Sequence, residues 1–457
     1  MESIPKQVHF IGIGGAGMSA LANILLTLGY QVSGSDLVAT PVIQRLEALG
    51  GKCYLGHSEK NVRDARLVVI SSAINTNNPE LVRAREEGIP VIHRADLLAW
   101  LMSRQKGIAV AGAHGKTTTT SMLALTLEKN GLDPTIIIGG ELNDIGGNAK
   151  LGGGEYVVAE SDESDGSFLK LKPLAAIVTN IEDDHLDHYG SLKNIKAAFR
   201  TFLAQLPENG KAVVCLDDPN TRDVLGGLKV PLTTYGFDGR AEYTLGEISL
   251  NGHRTRGEVY HRGRHLGSLE LFVPGRHNLL NALAVVALAR WLGLDFAQVA
   301  GALKEFRGVG RRFQFIGEAK GIRVFDDYAH HPTEIKATLQ AARTLHPPRV
   351  VAVFQPHRYT RTALLNERFG DAFQDADVIM MTEIYSAGEP PLEGVTTRLI
   401  IDAVHKYDGR PVSYFPTLEE TVRHLGDIVR PGDLVLTLGA GNIWTIGQKL
   451  LALLEER

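Results

Sequence analysis

Cysteine is nearly absent: the 457-residue chain holds two, Cys53 and Cys215. Such a pair builds no disulfide framework, and both lie in apolar or strand-like surroundings, as free thiols of a reducing compartment do. No uninterrupted apolar run approaches the roughly 18 residues that a bilayer-spanning helix needs. The opening Met1-Glu-Ser-Ile-Pro-Lys6 lacks the basic start and apolar core of a secretion signal. The expectation is a cytoplasmic protein. Excess charge is missing too: the net charge of −4 points to neither nucleic acid nor an anionic membrane. Internal repeats and low-complexity tracts are also lacking. What is there is globular, 44% hydrophobic and 22% charged, and long enough for about three domains of roughly 150 residues.

The stretch Gly107-Ile-Ala-Val-Ala-Gly-Ala-His-Gly-Lys-Thr-Thr-Thr-Thr120 reads as an apolar strand, a glycine turn and a helix carrying Met122, Leu123, Leu125 and Leu127. Free N–H groups at such a helix start, together with its dipole, make an anion site. Lys116 would reach β- and γ-phosphates, and the Thr117 hydroxyl a Mg²⁺ ion. The spacing departs from the usual phosphate-loop pattern, because Val110 rather than glycine stands five residues before Gly115.

An earlier stretch makes a second nucleotide-type signal. Val8 to Gly12 reads as a buried strand, Gly12-Ile-Gly-Gly-Ala-Gly17 fits GxGxxG, and Met18 to Leu28 has helical apolar spacing. A second strand from Tyr30 ends in Asp36. On these residues alone the pattern favours NAD. The strand Leu67 to Ser72 ends in two serines, at the strand end where such sheets place ligand contacts. Val91 to Arg94 reads as a strand and Ala95 to Met102 as a helix, with the first domain ending near Gln105-Lys106.

After the phosphate turn, the strand from Tyr156 ends in Glu160-Ser-Asp-Glu-Ser-Asp165. A carboxylate at a strand tip behind a phosphate loop is placed to hold Mg²⁺; Glu160 is the first choice, with Asp162, Glu163 and Asp165 behind it. The strand Ala175 to Asn180 runs into Ile181-Glu-Asp-Asp-His-Leu-Asp-His188. That cluster suits zinc, Mg²⁺ or plain polar surface. With no cysteine near and a phosphate loop beside it, a hard cation fits better than zinc. Further strands are expected at Ala212 to Leu216 and Val230 to Tyr235, a β-rich section over 240–273, and a long helix from Leu279 to Leu292. Phe306 to Phe313 reads as a basic linker.

The remainder alternates strand and helix: Ile322 to Phe325, a helix from Thr333, Val350 to Phe354, Val378 to Met381 and Leu434 to Leu438. A third parallel α/β sheet follows. Polar groups collect after its strand ends, in Asp326 to Pro332 and Gln355 to Arg361, and the last strand ends in Gly439-Ala-Gly441. One GxGxxG turn and one GKT turn together exceed what a dehydrogenase needs. They suggest an ATP-driven enzyme that holds a second phosphorylated ligand and activates a carboxylate for bond formation.

The chain resembles the Mur ligase family. The shared phosphate motif is Gly112-Ala-His-Gly-Lys-Thr117, and the shared HNxxN element is His277-Asn278-Leu-Leu-Asn281. Gly12 to Ser19, Ser71-Ser-Ala-Ile74, Asp326 to Pro332 and Gln355 to Arg361 look like the alanine-adding branch of that family. The likeness runs in order across nearly the whole chain. It implies three α/β domains: a Rossmann-like UDP-sugar domain (1–105), a central P-loop-type ATPase domain with a mostly parallel sheet and a small β section (106–312), and a Rossmann-like amino-acid domain (313–457). It implies a ligase joining L-alanine to the lactyl carboxylate of UDP-N-acetylmuramate, with ATP and two Mg²⁺ ions, acting on small molecules as a monomer or homodimer.

The resemblance also assigns residues. Gly12, Gly14, Gly15, Ala16, Gly17, Met18 and Ser19 would hold the UDP diphosphate. Asp36 would lie near the uridine, and His57, Ser71 and Ser72 near the nucleotide sugar. ATP would meet Gly112, Ala113, His114, Gly115, Lys116, Thr117 and Thr118, with His277, Asn278 and Asn281 on the adenine side. Arg312 would reach a phosphate, and Asp327 would face the ribose or the hinge. Thr117 and Glu160 would hold one metal and His185 a second. Arg358 and Arg361, sharing a face if helical, would bind the alanine carboxylate or developing charge. Tyr328, His330 and His357 would face the same cleft, with His330 a candidate base. Several family members carry a carbamoylated lysine where Phe199 stands here, so an unmodified metal site is expected. The rival readings are a recycling ligase that adds a tripeptide to the same sugar, an NAD-dependent dehydrogenase, and a nucleotide-gated binding protein without catalysis.

Overall fold

The computed structural model describes residues 3–142 and 146–456. Five parallel strands form the first sheet: β1 (Gln7–Ile11), β2 (Gln31–Asp36), β3 (Lys52–Leu55), β4 (Leu67–Ile70) and β5 (Val91–His93). Their order is β3-β2-β1-β4-β5. Strand order reverses between β1 and β4, which opens a crevice at the carboxyl ends of those strands. The helix Ala16–Thr27 follows β1 directly and buries Met18, Leu21, Ile24 and Leu25.

The second sheet contains β6 (Lys106–Ala111), β7 (Thr135–Leu142), β8 (Gly147–Lys150), β9 (Tyr156–Glu160), β10 (Ala175–Val178), β11 (Lys211–Cys215), β12 (Leu232–Gly236), β13 (Tyr243–Asn251), β14 (Arg254–His261) and β15 (Arg264–Leu271). The order is β15-β14-β13-β12-β11-β10-β6-β9-β7-β8. The strands from β9 through β6, β10 and β11 to β12 run parallel, whereas β7 and β8 are antiparallel. In β6 the run Ile108 to Ala111 is fully buried. A strand covered on both faces reads as a continuous apolar run, which is why its sequence shows no alternation.

The third sheet contains β16 (Gln314–Ala319), β17 (Ile322–Asp327), β18 (Arg349–Phe354), β19 (Val378–Met381), β20 (Val412–Tyr414) and β21 (Asp433–Leu438), in the order β16-β17-β21-β18-β19-β20. The edge strand β16 pairs antiparallel with β17, and the other pairings are parallel. The fold is three α/β domains with mostly parallel sheets. By packing, the chain forms two compact units. One holds the chain up to Leu245 with Val259–Gly267 and Asn281–Leu303; the other holds Gly246–Glu258, Ser268–Leu280 and the chain from Lys304 on. Among the described residues, no helix is long and apolar enough to cross a membrane.

Two expectations are corrected. The long helix begins at Arg276 rather than Leu279. Gly275 accepts from the Asn278 N–H and Pro274 from the Asn278 side chain, so an extra first turn is closed and carries His277 and Asn278. Near β18 the helix is Tyr359–Leu365, and Arg358 stands before it at φ +70°. The two arginines therefore do not share one helical face.

The helix Leu192–Ala204 buries Ile195, Phe199, Phe202 and Leu203. Phe168 lies 5.2 Å from Phe199 and 5.0 Å from Phe202, ring centre to centre. Phe199 is therefore a core residue. Phe199→Ala is expected to cost about 3–5 kcal/mol through lost burial and an unfilled cavity; the shift of the urea midpoint measures it.

Candidate functional site

The phosphate turn is held open by its neighbours. Gly112 at φ +139° lies so close to Thr179 that a Cβ would meet Oγ1 at 2.1 Å. Gly115 at φ +80° caps the helix Lys116–Lys129, and a Cβ there would meet Asn281 Oδ1 at 2.8 Å. Neither position admits a side chain. The Ala113 N–H donates to the Asn180 carbonyl (3.1 Å) and the His114 N–H to Asn180 Oδ1 (2.8 Å). The His114 carbonyl accepts from Thr179 Oγ1 (2.6 Å) and Asn180 Nδ2 (3.0 Å). Thr179 and Asn180 thus shape the turn from β10; sequence reading placed them on a strand but gave them no role.

Lys116 Nζ donates to the carbonyls of Gly112 (2.6 Å) and Ala113 (3.1 Å) and to Glu163 Oε1 (2.8 Å). Burial works against its charge, but the carboxylates of Glu163, Glu160 and Asp162 outweigh burial and raise its pKa. Burial pushes Glu163 up to about 7 against the pull of Lys116. The Thr117 hydroxyl donates to Glu160 Oε1 (3.1 Å), and the Gly139 N–H to Glu160 Oε2 (2.8 Å). His185, at φ +57°, points Nε2 to within 3.8 Å of Glu163 Oε1 and 3.6 Å of Asp184 Oδ2. Thr117, Glu160, Lys116, Glu163 and His185 therefore form one constellation. Glu163, a secondary choice from sequence, is its bridge, and its Oε2 is buried without a hydrogen-bond partner. A threonine hydroxyl, carboxylate oxygens and an imidazole together fit a hard divalent cation.

The glycine turn after β1 lies within the same unit. Ser35 accepts from the N–H groups of Gly12 (2.8 Å) and Ile13 (2.9 Å), and Asp36 Oδ2 from the Gly14 N–H (2.9 Å). Gly15 and Ala16 are exposed. Met18 is buried in the core, so its side chain does not face a ligand; Ser19 is buried too, its Oγ donating to the Ala16 carbonyl (3.1 Å) and accepting from Asn148 (3.1 Å). Only their backbone belongs to the turn. His57 Nδ1 lies 3.0 Å from Ser35 Oγ. Ser71 and Ser72 follow β4, and Ser72 hydrogen-bonds Asp165.

Arg94, which sequence reading passed over as part of a strand, joins the glycine turn after β1 to the acidic tip of β9. It pairs with Asp162, and a Cβ on Gly17 would lie 3.2 Å from its guanidinium. Burial would raise the Asp162 carboxyl, yet the Arg94 charge and Ser164 hydrogen bonds hold it down at about 2. Nearby, His93 Nε2 lies 3.4 Å from Asp165. Only the basic residue opening a helix beside an acidic strand tip hinted at the pair.

His277, Asn278, Arg312, Asp327, His330, Arg358 and Arg361 belong to the second unit. Asp327 accepts from the N–H groups of Phe313 (2.7 Å) and Ala329 (2.7 Å). Burial pushes it up to about 6 against the charge of Arg312. Arg312 lies 3.5 Å from Glu334 and its guanidinium 5.2 Å from the Tyr328 ring centre. His330 Nδ1 meets the Tyr328 carbonyl at 3.0 Å, and its ring lies 5.6 Å from that of His357. Arg361 Nη1 lies 3.2 Å from His357 Nδ1, and Arg358 Nη1 lies 3.9 Å from Glu389. These groups gather at the carboxyl ends of β17 and β18. A non-glycine residue at positive φ, as Arg358 is, stores strain of the kind found where geometry serves a ligand.

Residues 7–106 match the catalytic domain of the Mur ligase family, 110–289 the Mur ligase middle domain and 311–441 the Mur ligase glutamate ligase domain. The chain belongs to the Mur ligase family. Its relatives include the UDP-N-acetylmuramate–L-alanine ligase of Pelotomaculum thermopropionicum, 62% identical over 99% of this chain and 98% of that protein. The ligase of the same name from Geobacter sulfurreducens is 50% identical over 99% and 98%. Among solved structures, the UDP-N-acetylmuramate–alanine ligase of Thermotoga maritima gives a TM-score of 0.84 at 34% identity, covering 98% of this chain and 99% of that one. A murein peptide ligase from Psychrobacter arcticus gives 0.76 at 26% identity over 98% and 99%.

The Arg94–Asp162 pair has a pH signature. Asp162 falls from the ordinary 3.8 to about 2, so its contribution is complete above the ordinary value and is lost as pH falls through the folded one. Asp162→Asn should destabilise the protein most at neutral pH, with the gap closing as pH falls toward 2. Urea midpoints across that range check this; a gap constant with pH would remove the ionic pair as its cause.

Proposed function

We propose that this chain joins L-alanine to the lactyl carboxylate of UDP-N-acetylmuramate, converting ATP to ADP and phosphate and giving UDP-N-acetylmuramoyl-L-alanine. The observation that carries the reading is the constellation of Lys116, Thr117, Glu160, Glu163 and His185 around the phosphate turn, in a chain 62% identical to a ligase of that name. Under this reading the protein is a cytoplasmic enzyme working on small molecules as a monomer or homodimer.

The reaction sets an anion to attack an anion, so positive charge must gather where the γ-phosphate sits. The helix start at Gly115 offers N–H groups to the phosphates. Lys116 exchanges its present partners, two carbonyls and Glu163, for β- and γ-phosphate oxygens. Thr117 and Glu160 would hold one Mg²⁺ and His185 a second. Bound there, the ions would neutralise phosphate charge and draw the two anions together. The glycine turn after β1 holds the diphosphate of the sugar nucleotide, with the domain boundaries at 105 and 312 separating the sugar, ATP and amino-acid segments.

The lactyl carboxylate oxygen bonds to the γ-phosphorus as the bond to ADP breaks, leaving an acyl phosphate. The alanine nitrogen then bonds to the acyl carbon, and phosphate leaves from a tetrahedral intermediate. Arg358 and Arg361 hold the alanine carboxylate. His330 takes the amine proton; with Nδ1 turned to the Tyr328 carbonyl, Nε2 is its basic nitrogen. Asp327, raised by burial, stays near Arg312 at the ribose side.

Phosphate release from ATP and Mg²⁺ should require both UDP-N-acetylmuramate and L-alanine. Release that answers only to a tripeptide would make the chain a recycling ligase, and no release with NAD(H) bound instead would return the glycine turn to a dehydrogenase. Lys116→Ala should lower turnover about a hundred- to a thousandfold, the scale of losing a donor that acts in the transition state, with an unchanged circular dichroism spectrum. Near-normal turnover in that variant would remove Lys116 from the chemistry. Arg361→Ala should raise the KM for L-alanine at least about tenfold, as loss of a charged hydrogen bond does, and spare that for the UDP-sugar; the reverse selectivity would reassign the arginine.

A further inference from the structure

One buried carboxylate takes no part in the proposed chemistry. Glu80, in the helix Pro79–Glu86, is wholly buried beside the first sheet. Its Oε1 accepts from the Asn61 amide (2.5 Å) and the Ser58 N–H (3.2 Å). Its Oε2 accepts from the Ser35 hydroxyl (2.5 Å) and lies 3.3 Å from His9 Nε2 and 3.5 Å from His57 Nδ1. Burial would raise this carboxyl, but the hydrogen bonds of His9, Ser35 and Asn61 outweigh it and hold it down at about 2. Glu80 is ionised, and an ionised carboxylate only accepts.

That fixes the direction of the next bond. A serine hydroxyl has one proton, and Ser35 gives it to Glu80. The 3.0 Å contact between Ser35 Oγ and His57 Nδ1 must then run from imidazole to hydroxyl oxygen. With a single ring proton, His57 carries it on Nδ1 and keeps a lone pair on Nε2. The ring is partly exposed. The Gly56 N–H donates to the Asp36 carbonyl (2.7 Å), which sets His57 at the end of β2, and the Asp36 side chain touches Gly14 of the glycine turn. A hydrogen-bond acceptor is thus built at the rim of the diphosphate site.

We propose that Glu80, acting through Ser35, is a positioning residue that locks His57 as the Nδ1–H tautomer, so that Nε2 accepts a hydrogen bond from the uridine part of the ligand. The proposal rests on the glycine turn being the UDP-sugar site. Two groups of uridine supply such a donor, the imide N–H of the base and the ribose hydroxyls.

Long-range ¹H–¹⁵N spectra of the full chain labelled with ¹⁵N-histidine report the tautomer without ligand, and His57→Gln identifies the His57 signals. Protonation at Nδ1 is expected; a ring protonated at Nε2 overturns the proposal. In Glu80→Gln the carboxamide can donate to Ser35, which then turns its proton to His57. The tautomer should flip and UDP affinity should fall roughly tenfold or more, because two donors would face each other. The KM for the UDP-sugar should rise by more than kcat changes. Unchanged UDP affinity with a flipped ring overturns the ligand half. If Glu80→Gln does not fold, UDP binding by His57→Gln decides, a loss supporting the proposal and no change overturning it. N3-methyl-UDP, 2′-deoxy-UDP and 3′-deoxy-UDP name the donor by which of them binds weakly; all three binding like UDP overturns the contact. Wild-type protein that fails to bind UDP while showing the Nδ1–H ring sinks the reading of the glycine turn and leaves the tautomer standing.

Discussion

A half-buried lysine keeps its charge beside the phosphate turn, and the acidic side chains around the turn are arranged for that requirement. Burial works against the charge of Lys116, and Glu163, Glu160 and Asp162 more than offset it. The same carboxylates would repel a nucleotide if left exposed to it. Each is engaged: Glu163 with Lys116, Glu160 with Thr117 and the Gly139 N–H, Asp162 with Arg94. Under the proposed function, cations arriving with ATP would take over those carboxylates and free the lysine for phosphate. The turn therefore rests in a satisfied state that a charged ligand can replace group for group.

The backbone answers the same requirement. Asn180 and Thr179 tie the turn to β10, and Gly112 and Gly115 leave no room for a side chain between it and its neighbours. The peptide groups are set before any ligand arrives, which spares the ordering cost at binding. At the other glycine turn Asp36 braces Gly14 in a similar way. Two glycine turns are thus built by one device, a helix start braced by a polar side chain at the end of a neighbouring strand.

The elements that sequence conveyed well are those with local causes. Apolar runs of four to six residues became the buried parallel strands of all three sheets, and the two glycine turns lie where the motifs put them. Thr117 and Glu160 meet because adjacent parallel strands end at one edge, as βα units require. The Arg94–Asp162 pair and the tie from Asn180 to the turn span 68 and 66 residues, and no periodicity carries such information. Met18 matched a family motif by name, yet helical spacing turns it into the core. The extra turn at Arg276 and the break before Tyr359 depend on a few individual hydrogen bonds, of Asn278 with Gly275 and Pro274 and of Arg358 with Tyr385, that propensity does not foresee.

Phe199 carries a consequence of another kind. At the position where the family resemblance implies a modified lysine in other members, this chain has an aromatic ring packed against Phe168 in the core. The position holds no amine to modify. With Phe199 1% exposed, this helix face reaches its packed form by folding alone, with no chemistry required after translation.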